Sequence, residues 1–175
     1  MFEETTADIL PRTIILMRHG EAAGSPDIAR QLTASGKSQA RSVAKTLTSL
    51  DITPDMVICS DIDRTRQTLV EMNFPAYTPI LFCGEDLYRA ASYRDVLHVI
   101  AELSSDDKQC VLVIGHNPAI HETVLHLSKE SRGGKFGSLE NSYPSGTASV
   151  FEFKSDSWDM LHPATCRLSH VISSL

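Results

Sequence analysis

Side chains that handle anions stand at three separate places along the chain: Arg18 with His19, Arg64, and His116 followed by Asn117. Each place follows a short apolar run. Ile14-Ile15-Leu16-Met17 leads into Arg18-His19-Gly20-Glu21, Met56-Val57-Ile58-Cys59 leads into the stretch holding Arg64, and Cys110-Val111-Leu112-Val113-Ile114-Gly115 leads into His116-Asn117. A guanidinium keeps its charge and offers a planar fork suited to phosphate or carboxylate. An imidazole beside it serves as a nucleophile, a general base or a metal ligand. Gly20 lets the backbone turn and approach a ligand closely. Together with Glu21 and Asn117 it completes the set expected to touch substrate. Two guanidiniums and two imidazoles brought together would hold a dianionic phosphoryl group.

That convergence needs the three apolar runs to be parallel strands of one sheet, because ligands of open α/β sheets bind beyond the carboxyl ends of the strands. The runs are short, apolar and rich in β-branched residues, which is the pattern of buried strands. Helical spacing separates them. Thr33 reads as a helix N-cap before Ala40, Val43, Ala44 and Leu47. Ser60 or Asp61 can cap a second helix. Ser92 with Asp95 makes a capping box ahead of Val96, Leu97, Ile100 and Leu103. Asn117 reads as a cap with Pro118 at the first helical position. Pro79–Cys83 begins with proline and reads as an edge strand. Residues before Thr13 read as a lead-in arm, Ala22–Gln31 as a polar loop, and 128–146 as a long glycine-containing loop. Thr147–Phe153 reads as a strand that turns at Ser155-Asp156-Ser157 into Trp158–Leu161 as a hairpin. The tail to Leu175 is weakly patterned. Strands alternating with helices predict an α/β, three-layer α/β/α sandwich with a mostly parallel central sheet, formed by a single domain over 1–175.

Composition narrows the function classes. Hydrophobic residues make up 42% and charged residues 22%, as in ordinary globular proteins. A net charge of −6 argues against nucleic acid or an anionic membrane as partner, so any phosphate site must be a local positive pocket. The acidic opening Met1-Phe2-Glu3-Glu4 lacks the apolar region of a signal peptide, and no apolar run approaches the roughly 18 residues of a membrane span. Cys59, Cys83, Cys110 and Cys166 are far apart and fit buried thiols in a reducing, cytoplasmic setting. His121 and His126 are five apart, which puts them about 140° apart on a helix, unlike the paired ligands of a zinc hydrolase.

Taken together, Arg18-His19-Gly20-Glu21, Leu32-Thr33-Ala34-Ser35-Gly36 with Gln39-Ala40, Ser60–Thr68, Leu87–Ser92, Gly115-His116-Asn117-Pro118 and Pro144–Ala148 resemble, in order and spacing, the motifs of the histidine phosphatase superfamily. Gly-His-Asn-Pro and the short length are similar to its SixA-like branch of phosphohistidine phosphatases. Two positions depart from the pattern. Asp61 stands where the family has proline, and Glu21 is similar to the mutase-type branch.

The resemblance implies a phosphoglycerate mutase-like fold and a two-step mechanism without cofactor or metal. His19 becomes transiently phosphorylated, Arg18, Arg64 and a protonated His116 stabilise the transferring group, and water releases phosphate. Glu85, after the third strand, is the carboxylate best placed by sequence to protonate an alkoxide leaving group. The implied substrate is a phosphorylated protein carrying phosphohistidine. A small phosphate ester is the alternative, and a non-catalytic phospho-ligand binding module is the alternative from another class. The sequence is silent on oligomeric state.

Overall fold

The computed structural model describes residues 10–128, 137 and 139–173. Its strands are β1 (Pro11–Arg18), β2 (Ala22–Ala23), β3 (Gln31–Leu32), β4 (Met56–Cys59), β5 (Ile80–Phe82), β6 (Cys110–Gly115), β7 (Ala148–Lys154) and β8 (Arg167–Ile172). Its α-helices are α1 (Ala34–Ser49), α2 (Asp63–Met72), α3 (Asp86–Arg89), α4 (Tyr93–Leu103) and α5 (Ala119–Leu127). Six strands form one sheet in the order β5-β4-β6-β1-β7-β8. β5, β4, β6 and β1 pair in parallel, whereas β7 pairs antiparallel with both β1 and β8. β7 is therefore the one strand of that sheet running against the rest. The short strands β2 and β3 pair with each other.

Alternation along β1 explains the three layers. Ile14 and Leu16 pack into a core shared with α4 and α5, through Val96, Ile100, Ile120 and Val124. Ile15 and Met17 face the other way, into a core with α1 and α2, through Ala40, Val43, Leu47 and Leu69. Successive strand side chains point to opposite faces, so an unbroken apolar run is what a strand buried on both faces requires. β1 is also tied at its amino end. The guanidinium of Arg12 is buried and donates to the carbonyls of Ser155, Lys108, Asp106 and Asp156, while lying 5.2 Å from the Trp158 ring centre.

The capping signals hold at two helices. Thr33 accepts from the amide of Gly36 at 3.0 Å, and Ser92 with Asp95 forms the reciprocal box. Elsewhere the chain differs from its expectation. α5 starts at Ala119 with Pro118 at the cap position, so Asn117 is not the cap; its Nδ2 donates to Tyr143 O instead. α2 is preceded by Ile62 without a side-chain cap, because Ser60 turns inward and Asp61 pairs with Arg66. β1 includes Pro11. The hairpin partner of β7 is β8, in the weakly patterned tail, while Trp158–Met160 is a short 3-10 helix whose Trp158 packs edge-on against Phe153. Residues 129–136 and 138 of the expected 128–146 loop lie outside the described residues. Among the described residues, no helix is long and apolar enough to cross a membrane.

Candidate active site

The strands β4, β6 and β1 lie side by side, and their carboxyl ends deliver the chemistry. β1 ends in Arg18 and is followed by His19. β6 is followed by His116. β4 is followed by Ser60 and, in the first turn of α2, by Arg64. Arg18, His19, Arg64 and His116 border a cavity of about 380 Å³, which Asp27, Arg30, Tyr88 and Asn117 also line.

His19 is fixed from both sides of its ring. Nδ1 lies 2.7 Å from the carbonyl of Gly20, which can only accept, so Nδ1 carries the proton and Nε2 bears the lone pair. Arg64 Nε donates to that Nε2 at 3.2 Å. Burial, with Arg64 and Arg18 nearby, lowers the pKa of His19 to about 4, although the bond to Gly20 opposes the shift. The ring is therefore neutral at pH 7, the form in which an imidazole is nucleophilic.

His116 stands with its ring centre 5.2 Å from that of His19, and its Nε2 is 2.9 Å from Ser60 Oγ. Burial first, then His19 and Arg64, lower its pKa to about 3. A ring buried among guanidiniums loses its proton unless an anion compensates. Nε2 and Ser60 Oγ share one hydrogen bond, and Nδ1 is buried without a partner in the protein. Arg18 donates from Nη1 to Tyr143 O at 2.9 Å, while its Nε is likewise buried and unpartnered. Burial, Arg30 and Arg64 lower the pKa of Arg18 from its ordinary value. Three guanidiniums crowd one small space.

Backbone contact positions His19. A Cβ on Gly20 would meet Gly36 O at 2.5 Å, so the turn after His19 packs directly on the start of α1. Gly20 N donates to Thr68 Oγ1 at 3.0 Å. The amide of Gly20 is thus committed to the scaffold. Glu21 lines the cavity, with Oε1 accepting from Thr33 Oγ1 at 2.6 Å and its amide donating to Gln39. Gly146, at φ +71, donates its amide to His19 O at 2.9 Å and steadies the same turn.

Arg18, His19, Arg64, His116, Glu21 and Asn117 come together at this cavity, whereas Glu85 is not among the residues that line it. Glu85 sits exposed at the start of α3, paired with Arg89 at 2.7 Å. Asp27, Arg30 and Tyr88 carry no role in the sequence reading, yet they form the rim. Asp27 Oδ2 accepts from Arg64 Nη2 at 3.1 Å and from Tyr88 at 3.2 Å, and its Oδ1 accepts from Arg30 at 3.3 Å. Its slight burial favours the neutral acid, but Arg30 and Arg64 outweigh that and lower its pKa, so it is ionised near pH 7. The 3-10 turn Asp27–Ala29 that presents it lies inside the stretch read as a polar loop.

The sequence profile of the histidine phosphatase superfamily (branch 1) matches residues 14–82. The solved structure described as a phosphohistidine phosphatase SixA of Nakamurella multipartitia superposes with a TM-score of 0.82 at 28% identity, covering 95% of this chain and 98% of that one. The phosphohistidine phosphatase SixA of Escherichia coli is 29% identical over 120 residues, covering 65% of this chain and 73% of that protein. An uncharacterized chloroplastic protein of Arabidopsis thaliana is 26% identical over 145 residues. That alignment covers 74% of this chain but only 65% of the plant protein, under two thirds of its length.

Proposed function

We propose that this chain, which belongs to the histidine phosphatase superfamily and is a phosphatase, removes the phosphoryl group from phosphohistidine carried on a protein. One observation carries the reading. The Nε2 lone pair of His19 lies in a cavity whose walls supply three guanidiniums, while Nδ1 is anchored to a backbone carbonyl.

In the first step His19 Nε2 forms a bond to phosphorus as the P–N bond of the substrate breaks. The electron pair of that bond goes to the departing nitrogen. The other nitrogen of the substrate ring is protonated, so neutral imidazole leaves and no acid need donate a proton. Arg18 and Arg64 hold the charge on the phosphoryl oxygens, with the His116 ring beside them in the cavity wall. In the second step water attacks phospho-His19, Nε2 departs, and inorganic phosphate is released with the proton from water. The cations of the protein supply the electrostatics, so we expect turnover without added metal.

The carboxylates support this substrate over a small ester. An alkoxide must be protonated to leave, and a useful general acid holds its proton near the working pH. Asp27 is kept ionised, Glu21 is engaged by Thr33, and Glu85 pairs with Arg89 away from the cavity. Comparing a phosphohistidine protein with phosphoglycerate and sugar phosphates, all in excess EDTA, tests the reading. Higher kcat/KM for the phosphohistidine protein is expected. Preference for a small ester, or activity that requires restored metal, overturns it.

A further inference from the structure

Resting on the phosphatase reading, we propose that Asp27 is a specificity-determining residue that selects phosphoryl substrates with a cationic leaving group and disfavours those with an anionic one. The geometry begins with Arg64. Its Nε donates to His19 Nε2, while its Nη2 donates to Asp27 Oδ2. Nucleophile and carboxylate are therefore held by two N–H groups of one planar fork. They differ in depth. His19 is 7% exposed, at the floor, whereas the side chain of Asp27 is 58% exposed, at the rim. A displacement at phosphorus runs roughly in line. An attack from the floor sends the leaving group outward, past Asp27 and Tyr88.

The charge at that rim changes when substrate arrives. Asp27 shares its carboxylate among Arg64, Arg30 and Tyr88. The phosphoryl oxygens compete for the same N–H groups of Arg64, because a guanidinium fork accommodates two oxygens of one anion. Once they take Nη2, Oδ2 loses its strongest partner and faces the departing group. A phosphohistidine ring protonated at its free nitrogen presents an N–H cation to that oxygen. The Tyr88 ring, already edge-on to His116 and 5.6 Å from the Arg64 guanidinium carbon, offers such a cation an aromatic face. The carboxylate of a phosphoglycerate would instead meet like charge. No covalent step passes through Asp27. The attraction is greatest while the ring is still cationic, so it acts mainly on substrate capture.

The test uses the full chain and Asp27→Asn, which keeps the shape and an acceptor oxygen for Arg64 and Tyr88 but removes the charge. Three substrates are compared near pH 7: a phosphohistidine peptide, phosphoethanolamine with its ammonium group, and 3-phosphoglycerate with its carboxylate. Dissociation constants replace kcat/KM for any substrate that is bound without turnover. Asp27→Asn should weaken both cationic substrates roughly fivefold, chiefly in KM, and improve the glycerate, so that the cationic-to-anionic ratio falls at least tenfold. Asp27→Glu should restore the ratio. Equal losses for all three substrates would mean that Asp27 only braces Arg64, and would overturn the inference. Failure of the wild-type chain to act on the phosphohistidine peptide would sink the substrate reading above. A shift in the phosphoethanolamine-to-phosphoglycerate ratio would still uphold the role of Asp27.

Discussion

The floor and the rim of the cavity are built on different principles. His19, Arg64 and His116 are buried and hang from the ends of β1, β4 and β6, three neighbouring strands whose own side chains are fully buried over most of their length. Asp27, Arg30 and Tyr88 come from a 3-10 turn and a one-turn helix, and the carboxylate of Asp27 is mostly exposed. The floor has few ways to move, because each group is set by a packed strand and by bonds to neighbouring backbone. The rim is held by side-chain contacts to one another and to Arg64.

The largest test of this division is His19→Ala. Turnover should fall by about 10⁴-fold or more while the melting temperature stays close to that of the parent, since the change leaves the packed run Ile14–Met17 of β1 untouched. Wild-type protein quenched early in turnover should carry acid-labile, base-stable phosphate on His19. Label on another residue would dissolve the assignment of a nucleophilic floor. Next come the arginines. Arg64→Ala should lower kcat/KM by roughly 10²- to 10³-fold and Arg30→Ala by only about tenfold, as the first donates to His19 and is proposed to hold the phosphoryl oxygens as well. Equal effects would erase the distinction between floor and rim.

A pH series sharpens the same comparison. His19 and His116 have pKa values of about 4 and about 3, below the ordinary 6.5. The unfolded chain therefore binds protons at these residues before the folded one does. Their contribution to stability is complete above about pH 6.5 and is lost as pH falls toward the folded values. Nitrogen NMR of the two rings should show neutral imidazoles down to roughly pH 5, with urea stability declining over the same descent. Rings that charge above pH 6 would contradict the crowding of cations described here. The smallest effect is expected from Glu85→Gln. Its carboxylate pairs with Arg89 outside the cavity, so activity on either substrate class should stay within about twofold. A tenfold loss confined to small esters would bring Glu85 back as their proton donor.

The parts of the fold that were legible in the sequence are those that local pattern controls. β1, β4 and β6 announce themselves because strands buried on both faces must be apolar throughout. Thr33 and Ser92 announce helix starts because capping acts over three residues. β8 was not legible, since Arg167-Leu168-Ser169-His170-Val171-Ile172 mixes polar and apolar residues at a sheet edge. The early hairpin fails because Trp158 is buried against Phe153 and Arg12, a contact that no turn signal encodes. In the site, the strand-end residues could be found from their places after apolar runs. Asp27 and Tyr88 matter through Arg64, which lies 37 positions after Asp27, so only the folded chain reveals them. Glu85 looked well placed because it follows a strand. That strand, β5, lies at one edge of the sheet and its three residues are exposed, which sets Glu85 aside from the neighbours that meet at the cavity.

Arg12 gives His19 a reference point at the opposite end of the strand that precedes it. A one-residue slip of β1 would exchange the side chains of two cores and swing the residue after Arg18 to the wrong side of the sheet. The guanidinium of Arg12, engaged with carbonyls from two separate loops, acts as a stop against that slip. The placement of His19 is thus gauged from seven residues upstream. Damage at Arg12 would reach the reaction as lost alignment, even though its side chain lies across the molecule from phosphorus.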